Sequence, residues 1–217
     1  HMVDTFELMM ERIGVDVVWH ESTWGNAALD LNARRCDVVV APFFANIERA
    51  QAVAFTKPPL FYMGHGAVVR TEDERFRTVS DVNEFDREDI TVAVATGEVG
   101  DIYVSNHFSR AKIVRIDVEA ADLNRFMLEV SSGRADVAIA GSDVANIFTA
   151  EHPEVVDRFA DRPFGLAPVG WAVRHDDVAW RTFLETSLVY LETQGELKRL
   201  EDAYDAHWIR EVRSYSM

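Results

Sequence analysis

The chain has one cysteine, Cys36, and three lysines, Lys57, Lys112 and Lys198. A lone cysteine excludes an internal disulfide and a thiolate metal cage. Set just ahead of an apolar run, Cys36 reads as a small buried hydrophobe. The seven histidines show no ligand spacing and no H-E-x-x-H, so the sequence implies no metal. No apolar run approaches the roughly 20 residues that span a bilayer. No signal segment opens the chain either, but His1-Met2 looks like a cloning remnant, so the beginning says little about compartment. No G-x-S-x-G nucleophile motif is present. The stretch TGEVGD at 96–101 follows a strand and opens a helix, yet lacks the P-loop lysine and the dinucleotide glycines, so no cofactor follows. Acidic residues are many, but nothing singles out a catalytic pair; no catalytic residue is assigned, and the chain reads as a non-enzyme.

The balance of charge is strongly negative, with 37 acidic against 22 basic residues and a net charge of −15. Such a surface repels phosphate backbones and anionic lipid, which argues against nucleic-acid and membrane-surface roles. A length of 217 residues suits one large domain or two small ones.

Two stretches share a layout. Residues 36–49 read CDVVVAPFFANIER, and residues 135–147 read ADVAIAGSDVANI. Around the first, a β-type run at 15–19, a helical pattern at 24–34 and a strand at 37–41 give strand–helix–strand. The same order recurs at 112–116, 122–133 and 136–140. At an offset of 99, Asp37 meets Asp136, Arg35 meets Arg134, Val38 meets Val137 and Ala41 meets Ala140. Apolar strands alternating with helices imply parallel sheets covered on both faces. Two such units suggest two lobes. Further strands are expected at 66–70, 90–95, 163–168 and 170–174, with helices from about Glu98 and over 177–193. A last amphipathic helix carries Leu197, Leu200, Tyr204 and Trp208.

These residues resemble the type 2 periplasmic solute-binding proteins, specifically the amino-acid-binding extracellular solute-binding family 3. The family's first-lobe signature is echoed by Trp24, Leu31, Asp37-Val38-Val39-Val40 and Glu48-Arg49. Its v-x-F-S-x-P-Y is echoed by VAFTKPP at 53–59, and its second-lobe strand with G-T/S-T by Ala95-Thr96-Gly97-Glu98-Val99. Its ending is echoed by Leu188, Gly195, Leu197, Leu200 and Trp208. The resemblance implies an α/β fold of two lobes, each a mainly parallel sheet flanked by helices, joined by two hinge strands. The first lobe would comprise 3–69 and 165–217 and the second 70–164. It also implies capture of a small carboxylated ligand by hinge closure, delivery to the membrane permease of an ABC-type transporter, and a periplasmic or extracytoplasmic location. Arg49 matches the arginine that forks onto the ligand's carboxylate, a task that suits planar guanidinium.

Departures from the pattern bear on the ligand. The hydroxyl residues before that arginine are replaced by Pro42, Phe44 and Asn46, and only Asn46 keeps a side-chain hydrogen-bonding group. The second-lobe aspartate that pairs with a ligand ammonium falls on Gly141, followed by Ser142 and Asp143. Glu98 and Val99 stand where the helix start carries hydroxyls after Gly97. Glu98 reads either as a first-turn carboxylate favoured by the helix dipole or as a partner for a cationic ligand group. Phe43 and Phe44 lie on opposite faces by alternation, and Phe44 is the one expected to line the cleft. Trp24 reads as a core anchor or a ligand-stacking ring, and His65 as a satisfied structural histidine. An apolar or aromatic carboxylate therefore joins ordinary amino acids as a candidate ligand. The family's first strand has no counterpart, since the chain enters directly in the first helix; a homodimer or strand swap is one way to fill that place. Alternative readings are a cyclohexadienyl dehydratase-like enzyme on the same fold, or a sensory or vestigial binding module.

Overall fold

The computed structural model describes residues 1–119, 122 and 124–204. They form two compact units. One holds His1–Glu21, Ala27–Tyr62 and the chain from Ala167 onward; the other holds Ser22–Asn26 and Met63–Leu166. The chain thus passes between units after Tyr62, a few residues before the boundary drawn from the sequence at 69, and the Trp24 segment groups with the second unit.

The second unit is built on a sheet ordered β4-β3-β5-β2-β6, with β7 also pairing β2. The strands are β2 (Phe61–Arg70), β3 (Thr91–Ala95), β4 (Lys112–Ile116), β5 (Val137–Gly141), β6 (Val155–Asp157) and β7 (Phe164–Val169). The ladders β3·β4 and β3·β5 are parallel, whereas β2 runs antiparallel to β5 and β6. Alternation of side chains along each strand divides the core in two. Val92, Val94, Val137 and Ile139 face one cluster with Val104 of helix α4 (Val99–His107). Ala93, Ala95, Ala138 and Ala140 face the other, where small side chains leave room for Phe126, Met127 and Phe148. Burial on both faces is why these strands read as continuous apolar runs. The chain over 122–133 is less regular than expected: a 3-10 turn at Arg125–Met127 leads into the single turn α5 (Leu128–Ser131). Helix α6 (Ser142–Glu151) follows β5 directly.

In the first unit, α1 (Met2–Ile13) buries Phe6, Met9 and Met10, and Phe6 meets Trp171 edge-on at 5.5 Å. A two-stranded antiparallel ladder joins β1 (Ala54–Phe55) to β8 (Ala172–Val173). Helix α2 (Ala27–Asn32) begins three residues later than the pattern at 24–34 suggests, and the four-residue α3 (Ile47–Ala50) follows the aromatic loop. Helix α7 (Val178–Thr193) buries Leu184, Leu188 and Leu191, and α8 (Glu196–Asp202) buries Leu197. Trp208, expected on the last helix, lies outside the described residues. Two expected strands are not formed here. The run 15–19 makes no ladder, and 37–41 contributes an isolated bridge, Val39 to Ala172. An extended run becomes a strand only where a neighbour accepts its backbone bonds, and Val18 instead stands 91% exposed. Cys36 is half-buried. No helix among the described residues is long and apolar enough to cross a membrane.

Candidate ligand-binding residues in each unit

In the first unit the aromatic loop is pinned through the backbone of both phenylalanines. Phe44 bridges Val169, and the Phe43 carbonyl accepts the Gly170 N–H at 3.3 Å. Both rings are buried, so Phe44 packs into the core, where it makes its contacts. Phe43 stacks on Phe55 with centroids 5.9 Å apart. Asn46 then caps α3: its Oδ1 accepts the Arg49 N–H at 2.9 Å. The Asn46 side chain thus fixes the backbone of Arg49 through its Oδ1. The Arg49 carbonyl accepts the N–H groups of Ala52 and Val53 at 3.0 Å each. The Arg49 side chain folds back over the loop and sets its guanidinium carbon 3.9 Å from the centre of the Phe43 ring. At 7% exposure, this is a largely desolvated cation, in which state a charge-assisted pair with a carboxylate gains strength.

The second unit brings together Trp24, Gly97, Glu98, Val99 and Gly141. Gly97 has φ +73°, and a Cβ there would lie 2.6 Å from the Gly25 Cα, so the Trp24-Gly25 turn rests against it. Trp24 itself is half-buried. The Gly97 N–H donates to Asp101 Oδ2 at 3.1 Å, and Asp101 pairs with Arg115 at 2.8 Å. Glu98 is the N-cap of α4 and is buried. Its Oε2 accepts the Gly100 N–H at 2.6 Å and its Oε1 the Gly141 N–H at 2.9 Å. A carboxylate here satisfies a helix-end donor and sits at the positive end of the helix dipole. Gly100 lets α4 approach β5, since a Cβ at that position would lie 2.0 Å from the Ile139 carbonyl oxygen.

Gly141, whose position corresponds to an ammonium partner in the resemblance, carries no side chain, but Asp143 stands beside it. Asp143 Oδ1 is 2.9 Å from where a Gly141 Cβ would be. Burial pushes the Asp143 carboxyl above the usual aspartate range, and among the described residues no cation pairs with it. Val99 is buried, and its carbonyl faces His65 Nε2 at 3.2 Å. On the other side His65 Nδ1 lies 3.2 Å from the Phe164 carbonyl, so this histidine links β2, β7 and the first residue of α4.

Sequence reasoning did not connect Phe43 with Arg49. Alternation assigns Phe43 and Phe44 to opposite faces; it cannot say that α3 turns back and lays Arg49 on Phe43.

The whole described chain falls within one family. The model of the bacterial extracellular solute-binding proteins, family 3, matches residues 1–207, and the chain belongs to that family. Its fold is the mixed α/β type 2 periplasmic-binding-protein fold of its structural neighbours. It is similar to a cyclohexadienyl dehydratase of Pseudomonas aeruginosa, 23% identical over 207 residues, covering 95% of this chain and 74% of the enzyme. A probable histidine-binding protein of Campylobacter jejuni is 25% identical over 162 residues, covering 75% of this chain and 59% of that protein. Among solved structures, a mutant of ArgBP from T. maritima has a TM-score of 0.82 at 29% identity, covering 95% of this chain and 85% of that one. The arginine-bound form of truncated ArgBP gives 0.75 at 30% identity, with 88% and 84% covered.

Proposed function

We propose that this chain captures a small amino acid outside the cytoplasm for delivery to an ABC-type permease, with Arg49 holding the ligand's carboxylate. The observation that carries this reading is the seat of Arg49: buried, fixed at its backbone by Asn46 and backed by an aromatic ring. A carboxylate matches the donor fork of a guanidinium. The ligand class favoured is an amino acid with a cationic or heteroaromatic side chain. Support comes from the arginine-bound form of ArgBP and from the probable histidine-binding relative. The acidic character of the chain points the same way.

The test is calorimetric titration of L-arginine, L-lysine, L-histidine and L-phenylalanine into wild type and Arg49→Ala. At least one should bind wild type, and the variant should lose tenfold or more of its affinity while remaining folded. This magnitude follows from the 1.5–3 kcal/mol typical of a charge-assisted hydrogen bond. Equal affinity in the two proteins would refute the role of Arg49.

A second reading is a dehydratase activity like that of the Pseudomonas relative. The observation favouring it is Asp143, whose carboxyl is shifted upward by burial, the direction needed of a proton donor near neutral pH. Consumption of prephenate by wild type, abolished in Asp143→Asn, would replace the binding reading.

A further inference from the structure

We infer that His65 is a positioning residue for ligand binding, setting where the head of α4 stands and with it the candidate residues Gly97, Glu98 and Val99. The inference rests on the amino-acid capture proposed above and adds to it a residue that orders the candidates of the second unit. His65, Val99, Gly141 and Phe164 all belong to that unit. The backbone at the head of α4 carries two glycines, Gly97 with φ +73° and Gly100. Glycine loses more conformational freedom on ordering than any other residue. Contacts that order this segment ahead of the ligand remove that loss from the binding step. Glu98 supplies one set of such contacts, through Gly100 and Gly141. His65 supplies another, from β2.

The histidine meets α4 at two points one helical turn apart. Its Nε2 lies 3.2 Å from the Val99 carbonyl oxygen, and its ring centroid lies 4.9 Å from that of Tyr103; residues four apart share one helix face. In the β2·β5 ladder its backbone stands opposite Gly141, whose N–H is bonded to Glu98. The same residue therefore borders both Val99 and the anchor of Glu98. Its ring is confined, stacked on Phe164 with centroids 5.5 Å apart. A Cβ at Gly165, where φ is +59°, would come within 3.0 Å of Nδ1 and 2.9 Å of the Tyr103 ring. Of the two carbonyls beside the imidazole, that of Val99 makes a buried contact and that of Phe164 a part-buried one. A buried acceptor deprived of a donor costs more than one that water can reach. The neutral ring therefore carries its proton on Nε2 and donates to Val99.

The experiment compares His65→Gln, whose amide nitrogen reaches the place of Nε2, with His65→Asn, whose amide reaches only that of Nδ1. Each is titrated with whichever of L-arginine, L-lysine, L-histidine and L-phenylalanine binds wild type best. The titrations are run well below every Tm and at about pH 8, where burial keeps the His65 ring neutral. His65→Gln should stay within about twofold of wild type, and His65→Asn should bind about fivefold more weakly, the scale of one net hydrogen bond. A merely structural role would lower Tm in both variants and leave affinity unrelated to the edge that survives. In wild type itself, proton–nitrogen correlation spectra of the imidazole report the tautomer without any substitution, and a proton on Nε2 is expected. Wild-type affinity in His65→Asn, equal losses in the two variants, or a proton on Nδ1 overturns this inference alone. No binding of any of the four amino acids to wild type overturns the capture reading and this inference with it.

Discussion

Glu98 joins Gly141 through a buried hydrogen bond: its Oε1 accepts the Gly141 N–H at 2.9 Å, while Oε2 accepts the Gly100 N–H at 2.6 Å. One carboxylate therefore caps α4 and fastens it to the last residue of β5. Truncation would orphan both donors in a place closed to water. Glu98→Ala is expected to cost about 3 kcal/mol, since each buried donor left unsatisfied costs about 1–3 kcal/mol. Glu98→Gln should recover only part of this, because its amide can accept from one of the two N–H groups and must oppose the other. Urea unfolding at pH 7 measures both, and a glutamine variant as stable as wild type would show that the charge is dispensable.

Gly100 offers a case where two effects of opposite sign compete. Alanine in a helix is favoured over glycine by up to about 1 kcal/mol. Against that, its Cβ would lie 2.0 Å from the Ile139 carbonyl oxygen, a backbone atom that cannot swing aside. Overpacking of this kind costs about 1–3 kcal/mol, and the donor to Glu98 would shift with it. Gly100→Ala should therefore be destabilising by about 2 kcal/mol in denaturant unfolding, and a stabilised variant would mean that α4 is free to move off β5.

His65 should give stability a dependence on pH. Burial pulls its imidazole below the ordinary 6.5, more than the backbone carbonyls of Phe164, Val99 and Gly165 raise it, and nearby His107 lowers it further. A neutral ring donates through one nitrogen only, so one of its two carbonyl neighbours goes without that donor. With the folded value depressed, the unfolded chain binds the proton first. The contribution of His65 is then complete above about pH 6.5 and is lost as pH falls through the folded value. Wild type should weaken between pH 7 and 5, and His65→Gln should flatten that limb even if it is less stable at pH 8. A separate loss lies lower. The Arg75 side-chain hydrogen bond is the main cause that holds Asp73 down to about 2 from 3.8, so its contribution disappears as pH falls towards 2 in both proteins. Parallel pH profiles for the two proteins between pH 7 and 5 would remove His65 from the account.

The parts of the fold that were legible in the sequence are those whose burial is two-sided. Thr91–Ala95, buried along nearly its whole length, forms the strand expected at 90–95, and β5 starts one residue beyond the expected position. The offset between Asp37 and Asp136 also has a physical basis, for each accepts an arginine: Arg174 at 2.9 Å and Arg75 at 2.6 Å. Val15 to Trp19 misled because β-propensity reports a side chain's preference and not the presence of a neighbour to complete a ladder. In the candidate site, Arg49 and Glu98 could be picked out by register. What each touches could not, because the cap that Asn46 places on the Arg49 N–H depends on where the short helix α3 begins. The tie from Glu98 to Gly141 spans 43 residues, beyond the reach of any local pattern.

Arg174 holds the first unit together at a point where the chain has little regular structure. It is 6% exposed. Its Nη1 donates to the carbonyls of Cys36 at 2.8 Å and Leu31 at 3.4 Å, and its Nη2 to Asp37 at 2.9 Å and Asp177 at 3.0 Å. These four acceptors come from the end of α2, the turn before Val38 and the turn before α7, so one guanidinium replaces ladder bonds that 37–41 does not make. The two kinds of partner differ in worth. The Asp37 side chain is 77% exposed, and an ion pair so open to water contributes at most about 1 kcal/mol. The carbonyls are less accessible and lose a charged donor. Arg174→Met should therefore destabilise by about 3 kcal/mol, whereas Asp37→Asn should cost less than about 1 kcal/mol. Equilibrium unfolding of the two variants separates these contributions, and equal losses would assign the stability to the Asp37 ion pair instead of the backbone contacts.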